Sequence, residues 1–116
     1  MRERRRSHRF ALQGKVHLVF GGRQFDLPVA DLSVTGFGVR LDVALLGAKP
    51  DGQVGTCRIE SPDLACPVEA FVSVMRIRRV GKQHLVGLRF ESISDEQLRV
   101  VKAYEALVRA RGGRGE

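Results

Sequence analysis

Two short stretches carry residue types able to grip an anionic, ring-bearing ligand. The first is Arg4-Arg5-Arg6-Ser7-His8-Arg9. In an extended chain, residues four apart project to one side about 13 Å from each other, so Arg5 and Arg9 would face a ligand together. Arginine suits that task because its planar fork makes two parallel bonds to a phosphate or to the O6/N7 edge of guanine. A solvated basic tail fits the same charge run. The second stretch is Asp31-Leu32-Ser33-Val34-Thr35-Gly36. Placed between two strands, it would project Asp31 and Ser33 from one face. A carboxylate can accept the N1 and N2 hydrogens of a guanine, and a serine can bond phosphate or base. Gly36 would permit a positive φ or a ligand's close approach to the backbone. An Asx-type turn accounts for the same six residues.

The elements that must position these groups are mostly short strands. Val16, Leu18 and Phe20 alternate with His17 and Val19, a period of two that predicts a strand, and Gly21-Gly22 predicts the hairpin turn after it. Phe25, Leu27 and Val29 form a second alternating run. Pro28 inside that run marks an edge or a bulge, because proline has no N–H to give a ladder. A third strand is expected over 37–41, a loop over 42–52, and further strands over 54–60, 66–80 and 84–90, the 66–80 run being long enough to bend. Leu98, Val101, Tyr104 and Val108 then recur at spacings of three and four, which predicts an amphipathic helix. Ser94 and Gln97 form a capping box, and Ile93 with Leu98 a hydrophobic staple. Asp95 and Glu96 sit in the first turn, where the helix dipole favours them, and Gly112-Gly113 ends the helix. The helix is expected to cover an open end of the sheet. Six strands joined by glycine-containing turns predict an all-β domain, a small antiparallel barrel or sandwich.

Composition bounds the rest. A chain of 116 residues is one domain, and 43% hydrophobic with 28% charged residues is the balance of a soluble globular protein. No stretch approaches the ~20 apolar residues of a membrane-spanning helix, and no apolar run follows the basic start, so a cytoplasmic protein without membrane insertion is expected. Of the net charge of +7, residues 1–9 hold five arginines against one glutamate, and residues 109–116 three arginines against one. A duplex-binding protein spreads its cations along a folded face, so this clustering points to a local anionic target or to solubilising tails. The expected organisation is a flexible arginine-rich ligand-binding segment over 1–9, one domain over 10–111, and a disordered tail over 112–116. Cys57 and Cys66 straddle Ser61-Pro62, and a hairpin centred there would set them opposite each other, although reduced thiols are the expectation in a cytosolic protein. His8, His17 and His84 show no metal-ligand spacing with either cysteine.

Taken together, the two stretches resemble the PilZ domain family. Arg5 and Arg9 fill an RxxxR pattern, and Asp31, Ser33 and Gly36 fill (D/N)xSxxG some twenty residues later. The resemblance runs on through Gly87-Leu88-Arg89-Phe90, similar to the family's final GxxF strand, and into the closing helix. It implies a six-stranded antiparallel β-barrel with a C-terminal α-helix, and a ligand, cyclic di-GMP, with no cofactor besides. By the resemblance, Arg5 and Arg9 would grip guanine edges and phosphates, and Asp31 and Ser33 would hold a guanine from the barrel side, with Gly36 admitting it. Arg4 and Arg6 would add contacts, and Arg76 on the long strand is a candidate to stack on a base. Arginine directly before RxxxR goes, in this family, with two ligand molecules stacked as an intercalated dimer. Such a module acts on an unidentified downstream protein.

An enzyme is not expected. No histidine is placed by sequence to activate Ser33, no GxSxG elbow appears, and no Walker or dinucleotide motif is present. The alternatives are a small barrel that binds nucleic acid or another polyanion, and a ligand-independent protein-interaction adaptor. Against the former, the six phenylalanines and one tyrosine lie mostly at core-like positions, which leaves no aromatic platform for single strands.

Overall fold

In the computed structural model, which describes residues 9–111, every second side chain of strand β1 (Lys15–Phe20) is buried: Val16, Leu18 and Phe20. The same alternation builds β2 (Arg23–Leu32), β3 (Gly36–Leu41), β4 (Val54–Glu60), β5 (Val68–Val80) and β6 (Gln83–Ser92). All pairings are antiparallel, and the strands close in the order β1-β2-β3-β6-β5-β4. The domain is therefore a barrel rather than a sandwich, and closure leaves no sheet edge for another chain to pair with. Arg4, Arg5, Arg6 and the 112–116 tail lie outside the described residues.

The ladders shift register at three places, one of them between Phe71 and Val72 on the β5–β6 ladder, and the other two position the site. In β2 the inward apolar positions run Phe25, Leu27, Val29 and then Leu32, a step of three, and the ladder with β3 shifts between Val29 and Asp31. In β5 they run Val68, Val72, Val74 and then Ile77, with a shift between Val74 and Arg76. Each shift is a β-bulge, in which one extra residue reverses the faces of those beyond it. Without the bulges, strict alternation would carry Asp31 and Arg76 into the apolar core. With them, both charges stand on the outer face. Pro28 is placed opposite Lys15 at the end of β1, and the irregularity falls just beyond it.

Elsewhere the sequence expectations need adjusting. Residues 42–52 are not all loop: Val43–Leu46 form a 3₁₀ turn capped by the Asp42 side chain, which accepts from the Ala44 N–H at 3.0 Å. The β4–β5 hairpin pairs Ile59 with Val68 and Cys57 with Ala70, so its centre lies beyond Ser61-Pro62 and Cys66 does not face Cys57. Both thiols are free: Cys66 is exposed, whereas burial pushes the Cys57 thiol up to about 12.

Helix α1 (Asp95–Ala110) begins as expected, with the Ser94 hydroxyl accepting from the Gln97 N–H at 3.1 Å. The return half of the capping box is not made. Instead the Gln97 side-chain carbonyl accepts from the Glu69 N–H near the start of β5 and ties the helix to the barrel. Val101 and Tyr104 enter the core, and the Tyr104 hydroxyl donates to the Ala11 carbonyl at 2.7 Å. Phe10 is buried, exchanges backbone hydrogen bonds with Leu32 at 2.9 and 2.8 Å, and lies 5.8 Å beneath the Arg109 guanidinium. The lead-in is thus pinned from Phe10 onward, between β2 and the helix.

Candidate functional site

Pinning Phe10 to Leu32 sets Arg9 beside Asp31, which is 22 positions away in sequence. Arg9 Nη1 donates to Asp31 Oδ1 at 2.8 Å, with the two side chains 38% and 26% exposed. From Asp31 a single lateral row crosses four strands: Asp31 opposes Gly38, Gly38 opposes Gly87, and Gly87 opposes Arg76. At ~4.8 Å per strand, its two ends stand about 14 Å apart at the backbone. The middle of the row has no side chains, so the outer face dips into a groove of ≈ 210 Å³ lined by Arg9, Asp31, Gly38, Arg76, Arg78, Leu85 and Gly87. Arg76 and Arg78 are exposed and make no ion pair among the described residues. The adjoining Arg89 is already engaged: it and the Ser73 hydroxyl both donate to Glu91 and hold that carboxyl below its usual range, the serine having the larger effect.

The groove therefore has a carboxylate on one wall, guanidinium groups on both, and a floor without polar side chains. A carboxylate takes hydrogen bonds from the donor edge of a heterocycle, and unpaired guanidinium groups take phosphate or acceptor edges. Among the sequence-derived candidates, Arg9, Asp31 and Arg76 meet here. Arg4, Arg5 and Arg6 lie outside the described residues.

Ser33 and Gly36 are used differently. Strand β2 ends at Leu32, so alternation stops, and Leu32 and Ser33 are both buried rather than on opposite faces. Ser33 is 2% exposed, and its hydroxyl contacts the Thr35 hydroxyl at 3.0 Å, accepts from the Thr35 N–H at 3.2 Å and donates to the Gly36 carbonyl at 3.2 Å. These contacts organise the β2–β3 turn. Gly36 has no positive φ, and a β-carbon there would stand 1.9 Å from the Leu88 carbonyl oxygen. The close approach that Gly36 allows in this structure is that of β6.

Gly38, Arg78 and Leu85 escaped sequence reasoning, and Gly87 entered it as part of the GxxF pattern and not as a site residue. A signal was present in Gly36-Phe37-Gly38 and Val86-Gly87-Leu88, because glycine inside an alternating strand marks a bulge or a close backbone approach. Two larger depressions lie elsewhere. One of ≈ 490 Å³ is lined by His17, Arg58, Glu69 and Phe71, among others, and one of ≈ 670 Å³ lies along the 61–67 turn. In the first, Arg58 is already bound by Glu60 and Glu69; the second has Lys15 and Glu60 as its only charged lining. Among the described residues there is no cluster of three or more potential metal ligands, and no helix is long and apolar enough to cross a membrane.

The sequence model of the PilZ domain matches residues 3–106. The fold is similar to that of the Bacillus subtilis inhibitor of motility MotI/DgrA (TM-score 0.78, 18% identity, covering 97% of this chain and 54% of that one). It is also similar to Escherichia coli YcgR in complex with c-di-GMP (TM-score 0.75, 14% identity, 95% and 48%). A third likeness is to the isolated PilZ domain of the Escherichia coli protein, also with c-di-GMP (TM-score 0.69, 18% identity, 95% and 98%). The chain thus spans about half the length of the two larger proteins and nearly all of the isolated domain. No curated protein matches the chain.

Proposed function

The chain belongs to the PilZ domain family, and on that premise we propose that it is a non-catalytic receptor for cyclic di-GMP. The observation that carries the reading is the Arg9–Asp31 contact at 2.8 Å, which joins the last arginine of RxxxR to the first residue of (D/N)xSxxG beside an open groove. In this reading Asp31 accepts the donor edge of a guanine, Arg9 and Arg5 take phosphate and guanine acceptor atoms, and Arg76 stacks on a base. Ser33 and Gly36 act through the β2–β3 turn, which sets the position of Asp31. Binding draws the arginine-rich segment 1–9 onto the barrel, and a downstream protein reads the rearranged surface. Arg4, Arg5, Arg6 and Arg9 offset the four phosphate charges of a stacked ligand pair, so the stoichiometry is two. Residues 10–111 serve as the barrel domain, with its closing helix, onto which that segment folds.

Calorimetric titration of cyclic di-GMP into the full chain tests the reading, and absence of binding overturns it. Repeating the titration across a salt series separates it from general polyanion binding. A dinucleotide read by its bases loses little affinity with salt, whereas a backbone-binding protein loses it steeply.

A further inference from the structure

Several glycines of the barrel are demanded by its own packing. A β-carbon on Gly36 would meet the Leu88 carbonyl oxygen at 1.9 Å, and one on Gly55 the Val19 carbonyl oxygen at 2.2 Å. Gly87 is different. Its φ is not in the left-handed region, and a β-carbon there would meet only Arg76, at 3.5 Å from its Cβ and 3.8 Å from its carbonyl oxygen, which are ordinary contacts. Nothing in the described fold requires glycine at this position, and glycine weakens a strand relative to alanine. Its cross-strand partner Gly38 is tighter: a β-carbon there would meet only the Asp31 carboxylate, at 3.2 Å, which would have to give by a few tenths of an ångström.

We infer that Gly38 and Gly87 form a bare backbone floor on which a purine ring of the ligand lies face down, so that two missing β-carbons set what the groove admits. The polarity of the groove supports this. Its floor is Cα atoms and laddered peptide groups, continued by Leu85 two residues from Gly87 on the same face of β6. Gly38 and Gly87 are paired across the β3–β6 ladder, and Gly87 with Arg76 across the β6–β5 ladder, so the floor offers a ring no side-chain polar group. Hydrogen-bonding groups, Asp31, Arg9, Arg76 and Arg78, stand only at the walls. A nucleobase has the matching distribution, apolar on its faces and hydrogen-bonding at its edge. A β-carbon on either glycine would lift the ring and break its edge contacts with the walls.

The inference rests on the groove being the cyclic di-GMP site, and the test separates the two. Cyclic di-GMP is titrated calorimetrically into the full-length chain as wild type, Gly87→Ala, Gly87→Val and, as a control away from the groove, Gly22→Ala, with melting temperatures recorded for each. Gly87→Ala is expected to melt at or above wild type while its affinity falls at least tenfold. Gly87→Val falls further, and Gly22→Ala binds as wild type. A folded Gly87→Ala that binds within twofold of wild type overturns the inference. So does a Gly87→Ala that fails to fold, because the glycine would then be a requirement of the barrel. A wild type that does not bind overturns the receptor reading itself, and the inference with it.

Discussion

Two rows of outward-facing residues cross the barrel on different sets of strands, and both begin on an aspartate and carry an arginine, with opposite outcomes. One runs Asp31–Gly38–Gly87–Arg76 over β2, β3, β6 and β5. The other runs Asp26–His17–Arg58–Glu69 over β2, β1, β4 and β5. In the second row every position has a side chain, and neighbours pair off: His17 Nδ1 lies 2.8 Å from Asp26 Oδ1, and Arg58 is held by Glu69 and, at 3.0 Å, by Glu60. Cross-strand neighbours of opposite sign sit close enough to satisfy each other. In the first row, two glycines separate Asp31 from Arg76, and the charges at the ends cannot meet. Arg9 reaches Asp31 from the lead-in, while Arg76 makes no ion pair among the described residues. Spacing by glycine, more than the number of charges, separates a surface that neutralises itself from one that leaves charge unpaired.

The comparison breaks most decisively at the walls of the glycine row. The Arg5→Ala/Arg9→Ala double variant and Asp31→Ala are expected to lose at least tenfold to a hundredfold in cyclic di-GMP affinity, since a lost charged hydrogen bond costs about 1.5–3 kcal/mol. Calorimetry reads the loss, and circular dichroism should show an unchanged barrel. A second substitution separates binding from architecture. Gly36→Ala forces a β-carbon against the β6 backbone. Overpacking of this kind costs about 1–3 kcal/mol and should appear as a lower urea midpoint, the opposite of what Gly87→Ala should do. Arg76→Ala is expected to weaken binding by less than the Asp31 change while leaving stability alone, because an exposed guanidinium on a base contributes about 0.5–1 kcal/mol.

The self-neutralised row should be nearly silent. Arg58→Ala is expected to leave affinity within twofold and the denaturation midpoint nearly unchanged, as is usual for exposed ion pairs. A large affinity loss there would erase the distinction between the rows. The smallest effect lies beside the groove, at Glu91. Its pKa is lowered by Ser73 and then Arg89 from an ordinary value of 4.5. A depressed carboxyl contributes stability that is present above that ordinary value and is lost as pH falls through the lowered one. Denaturation midpoints between pH 6 and 3 should therefore flatten slightly in Glu91→Gln.

Local patterns were the ones legible without coordinates. Alternation in β1 and β3, the Ser94 cap and the period of Leu98, Val101 and Tyr104 are written within a few residues of each other; six strands in a barrel or sandwich with a closing helix followed from them, and the choice of a barrel came from the family resemblance. The bulges were half legible: Pro28 marked the second strand for an edge or a bulge and the long β5 run was expected to bend, while their places are written in the steps from Val29 to Leu32 and from Val74 to Ile77. Ser33 was read by alternation as projecting from the same face as Asp31, but the end of β2 at Leu32 buries it in the turn. Gly36 was read as room for a ligand, but the room is taken by Leu88.

What the chain determined by itself was therefore its strands, its helix and the identity of the charged groups, because hydrophobic period and capping act over one or two turns of chain. Which charges meet was decided by tertiary structure. The register that lines Asp31, Gly38, Gly87 and Arg76 into one row joins residues up to 56 positions apart through three separate ladders. A shift of one residue in any ladder would send half of that row into the core.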